Sequence, residues 1–172
     1  MIVGKPNNMV MIQLDQTYIE GFLNDEIPSG VFNFIIDGKF YPGEGLMQEL
    51  WHIVESLKDL YCMGIKKIQY DLGNRPLSSI DFEWEDDNEW RERPKYLIDL
   101  SADFLYDYGF GSYLGFDGDE ERFIFTNDHF ITVDEIRLPK GTIGELINSL
   151  PSAEDLKVLH IGNCQITTLK GH

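Results

Sequence analysis

The sequence predicts an α+β fold: a single domain, residues 1–172, with a mainly antiparallel β-sheet and two main helices packed against it. Three observations carry this. Strand-like apolar runs flank two Asp-Gly pairs, the composition that closes a β-hairpin. Two stretches carry apolar residues at steps of three and four, the spacing of one helical face. Strands and helices segregate along the chain instead of alternating, which points away from parallel βαβ units.

Taken in order, residues 9–14 (Met-Val-Met-Ile-Gln-Leu) form an apolar strand ahead of a polar turn. Residues 31–36, then Asp37-Gly38, then 39–42 predict a hairpin, because an Asp-Gly pair supplies the two positive φ angles of a type I′ turn. The period then changes. Leu46, Leu50, Ile53, Val54, Leu57, Leu60 and Tyr61 share a helical face, with Gly64 placed to end the helix. His52 rides on its flank. A short strand is expected over 65–70, a loop at Gly73-Asn74-Arg75-Pro76, and a strand over 96–100 after Pro94. Residues 101–108 suit either a short helix or an extended edge. Residues 112–116, an Asp117-Gly118-Asp119-Glu120 turn and 121–126 read as a second hairpin, and 130–138 as a further strand. Ile143, Leu146, Ile147 and Leu150 give a second helix over 142–150, and 158–161 a last strand.

With 172 residues, 42% apolar and 13% aromatic, the chain can bury about two thirds of its unfolded surface and needs neither metal nor disulfide to fold. Cys62 and Cys164 have no metal-ligand spacing; their neighbours predict buried apolar fillers in a reducing compartment. No basic-then-apolar leader pattern opens the sequence, and no run of about 18 apolar residues occurs, so a cytoplasmic protein is expected.

The net charge of −16 is unevenly spread. Residues 71–135 hold 18 acidic and 5 basic side chains, against 9 and 5 in residues 1–70 and 3 and 4 in residues 136–172. The densest part is Asp81-Phe82-Glu83-Trp84-Glu85-Asp86-Asp87-Asn88-Glu89-Trp90, where acids alternate with large aromatics. Three readings stand for it. It is a solvated loop whose tryptophans fold back into the core, a partner-binding segment in which carboxylates steer and aromatics anchor, or a carboxylate patch for a hard cation. The candidate partner-binding residues are Asp81, Glu83, Trp84, Glu85, Asp86, Asp87, Glu89 and Trp90, with the acids of the second hairpin turn, Asp117, Asp119, Glu120 and Glu121. Such charge repels nucleic acid and anionic membranes and suits a basic protein.

Catalytic patterns are missing. The 117–120 stretch lacks the ligand alternation, the sixth-position Gly and the closing Glu of a calcium loop. His52, His129, His160 and His172 are scattered, and Asn127-Asp128-His129 resembles a turn. There is no Gly-x-Ser-x-Gly elbow and no phosphate-binding Gly loop. The residues describe a binding protein, with no catalytic residue, cofactor or metal assigned.

Residues 1–7 (Met-Ile-Val-Gly-Lys-Pro-Asn), the strand ending Gln13-Leu14-Asp15, the 30–38 segment and the amphipathic helix from Leu46 together resemble bacterial immunity protein 42. So do residues 96–101 and the Asp117-Gly118 hairpin with Arg122-Phe123-Ile124. The resemblance spans much of residues 1–126 and rests on strand-and-turn texture; the 81–90 run matches no family feature. It implies a small cytoplasmic protein that neutralises the C-terminal domain of a contact-dependent growth inhibition or related polymorphic toxin. A nuclease with a basic cleft is the toxin type an acidic partner would fit, by mimicking the phosphate backbone. An adaptor that uses the same acidic surface on a basic cellular protein is the alternative from the residues alone.

Overall fold

The computed structural model describes residues 1–16, 29–43, 47–82, 94–161 and 164–170. A first antiparallel sheet is built from β1 (Ile2–Val3), β2 (Val10–Gln16), β3 (Ser29–Ile36), β4 (Lys39–Tyr41) and β5 (Met47–Glu49). Both β4 and β5 pair with β3, at its two ends. β2 alternates as a half-buried strand should, with Val10, Ile12 and Leu14 inward. The predicted type I′ turn is present, with Asp37 at φ 48° and Gly38 at φ 75°.

Helix α1 (Leu50–Ile65) buries Leu50, Ile53, Val54 and Leu57. It starts later than Leu46 because residues 47–49 are extended along β3. Gly64 is not its terminator but lies in its last turn, where a Cβ would meet Ile98 Cγ2 at 2.3 Å; the glycine is a packing requirement. The strand expected over 65–70 does not form. Ile65 closes α1, Ile68 packs half-buried against the main core and Tyr70 is exposed, so this piece presents no alternating buried face; Gln69 N–H donates to Lys95 O at 2.8 Å. Cys62 is exposed rather than buried, since it sits on the outer face of α1.

A second sheet has the order β6 (Ile98–Asp99), β7 (Phe110–Asp117), β8 (Glu120–Asn127), β9 (Asp134–Pro139), antiparallel throughout. In the β7–β8 hairpin Asp117 pairs with Glu120, so the two-residue loop is Gly118-Asp119. Only Gly118 of that pair has positive φ, the pattern of a II′ turn rather than the I′ turn of the first hairpin. β9 starts at Asp134, not at residue 130. The ambiguous 101–108 piece forms a one-turn helix, α2 (Asp103–Tyr106). After α3 (Thr142–Asn148) the chain closes with a hairpin of β10 (Leu156–Ile161) and β11 (Cys164–Leu169). Gln165, Thr167 and Thr168 disguise this last strand in the sequence. Thr167 Oγ1 accepts Gln16 N–H at 2.7 Å and so fastens this hairpin to β2.

The main core joins the two sheets and the two longer helices. Phe34 of β3 packs on Phe110 of β7 at 5.3 Å and on Phe123 of β8 at 5.7 Å; each such ring contributes about 1.5–3 kcal/mol of burial. The other face of the second sheet is covered as well, by Leu72, Ile80 and Leu97 against Tyr113 and Ile124. With both faces covered, β7 and β8 are buried along nearly their whole length, without the alternation of a half-exposed strand.

Candidate partner-binding surface

The β7–β8 hairpin has two ends of opposite character. At its turn, Arg137 of β9 donates from Nη1 to Asp117 Oδ2 at 2.9 Å and to Glu120 Oε2 at 3.2 Å, and from Nη2 to Asn74 Oδ1 at 2.8 Å. The hydrogen bonds to Asp117 and then Glu120 hold this guanidinium still more firmly protonated than usual. Asp71 Oδ2 accepts Gly118 N–H at 3.1 Å, and Lys140 Nζ donates to Gly118 O at 3.2 Å. Beneath them Arg122 is 1% exposed. Its Nε donates to Glu135 Oε2 at 2.7 Å, and its Nη1 to the carbonyls of Gly73 and Arg75 at 2.8 and 2.7 Å. Much of the negative charge here is matched inside the fold, by pairs worth about 0–1 kcal/mol each where they are solvated.

Glu121 is a correction to the sequence-predicted surface. It is 1% exposed, and its carboxylate accepts N–H from Gly141 at 2.9 Å and from Ile143 at 2.5 Å, at the N-terminus of α3. It caps that helix across the sheet, where the dipole favours an anion, and offers nothing to a partner. Burial pushes its carboxyl above the usual carboxylate range, against the pull of the two backbone donors.

At the opposite end, α2 leads into β7 and β8 leads into a loop over 128–133. Asp128 organises that loop. Its Oδ1 accepts Thr126 Oγ1–H at 2.8 Å and Thr132 N–H at 2.9 Å, and its Oδ2 accepts Thr132 Oγ1–H at 2.7 Å. These bonds, those from Thr132 foremost, hold its carboxyl below the usual range. Thr126 Oγ1 in turn accepts Phe130 N–H at 3.0 Å. The network fixes two consecutive left-handed residues, His129 at φ 55° and Phe130 at φ 63°, a conformation costing about 1–3 kcal/mol each. Phe130 turns inward and stacks on Phe82 at 5.5 Å, while Tyr113 lies 5.4 Å from both rings. Tyr106 of α2 packs edge-on to His129 at 5.3 Å.

Asp81 is exposed and adjoins this aromatic cluster through Phe82; Asp119 and Glu120 are exposed and Asp117 half-buried at the turn end. Asp81 thus lies at the end of the hairpin opposite Asp117, Asp119 and Glu120. Glu83, Trp84, Glu85, Asp86, Asp87, Glu89 and Trp90 lie outside the described residues. Exposed Tyr106, Tyr108 and Ile131 are absent from the predicted set; the turn signal at Asn127-Asp128-His129 marks the loop that carries Ile131 and meets Tyr106. A cleft of about 540 Å³ beside the end of α1 is lined by Leu60, Met63, Lys66, Lys67, Lys95 and Tyr113. Its lysines suit an anionic group and not a basic partner. Among the described residues no group of three or more His, Cys, Asp or Glu could hold a metal, and no helix is long and apolar enough to cross a membrane.

The sequence model of immunity protein 42 matches residues 1–153. Among solved structures, the crystal structure of CdiI from Burkholderia dolosa AUO158 is similar at 18% identity with a TM-score of 0.58, over 86% of this chain and 96% of that one. This likeness shows the shared fold. No curated protein matches the chain.

Proposed function

The chain belongs to the immunity protein 42 family, and from that premise we propose that it binds and neutralises the C-terminal domain of a contact-dependent growth inhibition or related polymorphic toxin. The observation that carries this reading is the family match, which takes in both sheets and the two longer helices. The fold shared with CdiI supports it. The protein acts by occupying or covering a basic toxin surface, in the cytoplasm, and not by catalysis. The acidic 71–135 segment favours a nuclease as the toxin, because a cleft that binds phosphates attracts carboxylates in the same way. Asp81, Glu83, Trp84, Glu85, Asp86, Asp87, Glu89 and Trp90 remain the proposed contact residues of the acidic run, with Asp117, Asp119 and Glu120 as a second acidic patch. The whole chain is proposed to act as one domain.

The test is expression of the toxin domain encoded beside this gene, with and without this chain. The expected result is killing by the toxin alone, survival with both, and copurification of the pair. Survival of cells that express the toxin domain alone would defeat the reading.

A further inference from the structure

We infer that the tip formed by α2 and the 128–133 loop is the apolar anchor with which this chain grips a basic protein domain. Ile131, Tyr106 and Tyr108 enter the contact, and Asp81, Asp107, Asp128 and Asp134 ring it. The inference rests on the immunity reading and adds the place where the partner is held.

Three independent observations lead there. Ile131 is 83% exposed, the most exposed of the large apolar residues described, and Tyr106 and Tyr108, on the segment whose Gly109 O accepts His129 N–H at 3.0 Å, are 43% and 42% exposed. Ile131 belongs to neither buried cluster, so the fold makes no use of it. The ring contact between Tyr106 and His129 ties helix to loop, and exposed apolar side chains on two segments so joined mark a candidate contact site. Second, the loop is held open in a costly backbone conformation by the Asp128–Thr126–Thr132 network. An isoleucine fixed outward has little ordering left to lose on binding, which strengthens an anchor.

Third, the charge selects the occupant. The segments that build the tip, residues 101–110 and 127–135, contain Asp103, Asp107, Asp128, Asp134 and Glu135 and no Lys or Arg. Asp81, Asp107 and Asp134 are exposed. Nucleic acid and anionic lipid are repelled by such a rim, whereas a basic protein surface is attracted and its apolar pocket can desolvate Ile131. The turn end, where Arg137 and Lys140 accompany the acids, lacks both the apolar centre and the uniform sign.

The experiment uses the full chain and the toxin domain encoded beside its gene, with association and dissociation followed on a sensor surface. Ile131→Ser and Tyr106→Ala are compared with Ile2→Ser, which removes another isoleucine, 59% exposed, on the β1 edge of the first sheet. The expected result is dissociation about tenfold faster or more for Ile131→Ser and Tyr106→Ala, as for a lost anchor, with Ile2→Ser like the wild type. Thermal melts run alongside; Ile131→Ser should melt as the wild type does, so a loss of binding by that variant cannot be a loss of fold. If the wild type binds and Ile131→Ser dissociates within about twofold of it, the anchor lies elsewhere and the immunity reading stands. If the wild-type chain neither binds nor protects, both fall together.

Discussion

Glu121 and Arg122 are neighbours on β8 with buried charges of opposite sign, and each is explained by what it ties down. Glu121 caps α3, and burial raises its carboxyl above the usual range. A folded state that keeps a proton the unfolded chain has already released is most stable below the unfolded pKa and loses stability as pH rises toward the raised one. Glu121→Gln has no proton to lose. Its melting temperature relative to wild type should therefore climb as pH rises above the ordinary glutamate value of about 4. All other titrations are common to both proteins and cancel; a gap that stays constant with pH would contradict the buried ionisable role. Arg122 holds Glu135 and the carbonyls of Gly73 and Arg75, so Arg122→Ala takes the buried donor from two carbonyls and from Glu135, which keeps only Arg137 at 3.6 Å, and should cost about 3–5 kcal/mol in urea unfolding. Arg137→Ala, whose side chain is 31% exposed, should cost no more than about 1 kcal/mol. Equal losses from the two would show that burial is not what separates them.

At the scale of elements, β3 packs tightly on β2 at Gly30. A Cβ there would stand 2.1 Å from Asp15 O and 2.7 Å from Gln16 Cα, both backbone atoms that cannot swing aside. Gly30→Ala should lower the urea midpoint by the equivalent of about 1–3 kcal/mol, through disruption of the β2–β3 ladder; an unchanged midpoint would mean the strands can part without loss. Elements with their own periodicity or turn chemistry are legible in the amino-acid order: β2, the β3–β4 and β7–β8 hairpins, α1 and α3. Those that are not legible depend on partners far away in sequence. β5 takes the first turn of the predicted helix because β3 offers it an edge. Residues 65–70 look strand-like but find no sheet, and β11 looks polar but finds β10 and β2. The candidate surface is legible in charge and not in geometry. Alternation of acids with aromatics points to Asp81 and beyond, yet only folding sends Glu121 inside and brings Tyr106 beside the 128–133 loop.

Over the whole molecule, a charge of −16 acts at longer range than any one contact, and its effect on binding should be kinetic. Neutralising Glu85, Asp86 and Asp87 together to their amides should slow association with the toxin domain and flatten its dependence on salt, while dissociation changes little. Rim carboxylates steer the encounter across about 8–10 Å of screened solution and contribute little once the complex has closed. Trp84 and Trp90 should behave in the opposite way. If either ring is an interface anchor, its replacement by alanine should speed dissociation by the equivalent of about 2 kcal/mol or more and leave the melt alone. If it is a core residue, the same change should cost about 3–5 kcal/mol of folding stability and leave the rate constants of the folded fraction intact. Association kinetics in low and high salt, with melts on the same variants, separate these outcomes. An amide triple variant that associates as fast as wild type in low salt would show that the acidic run contributes solubility and not steering.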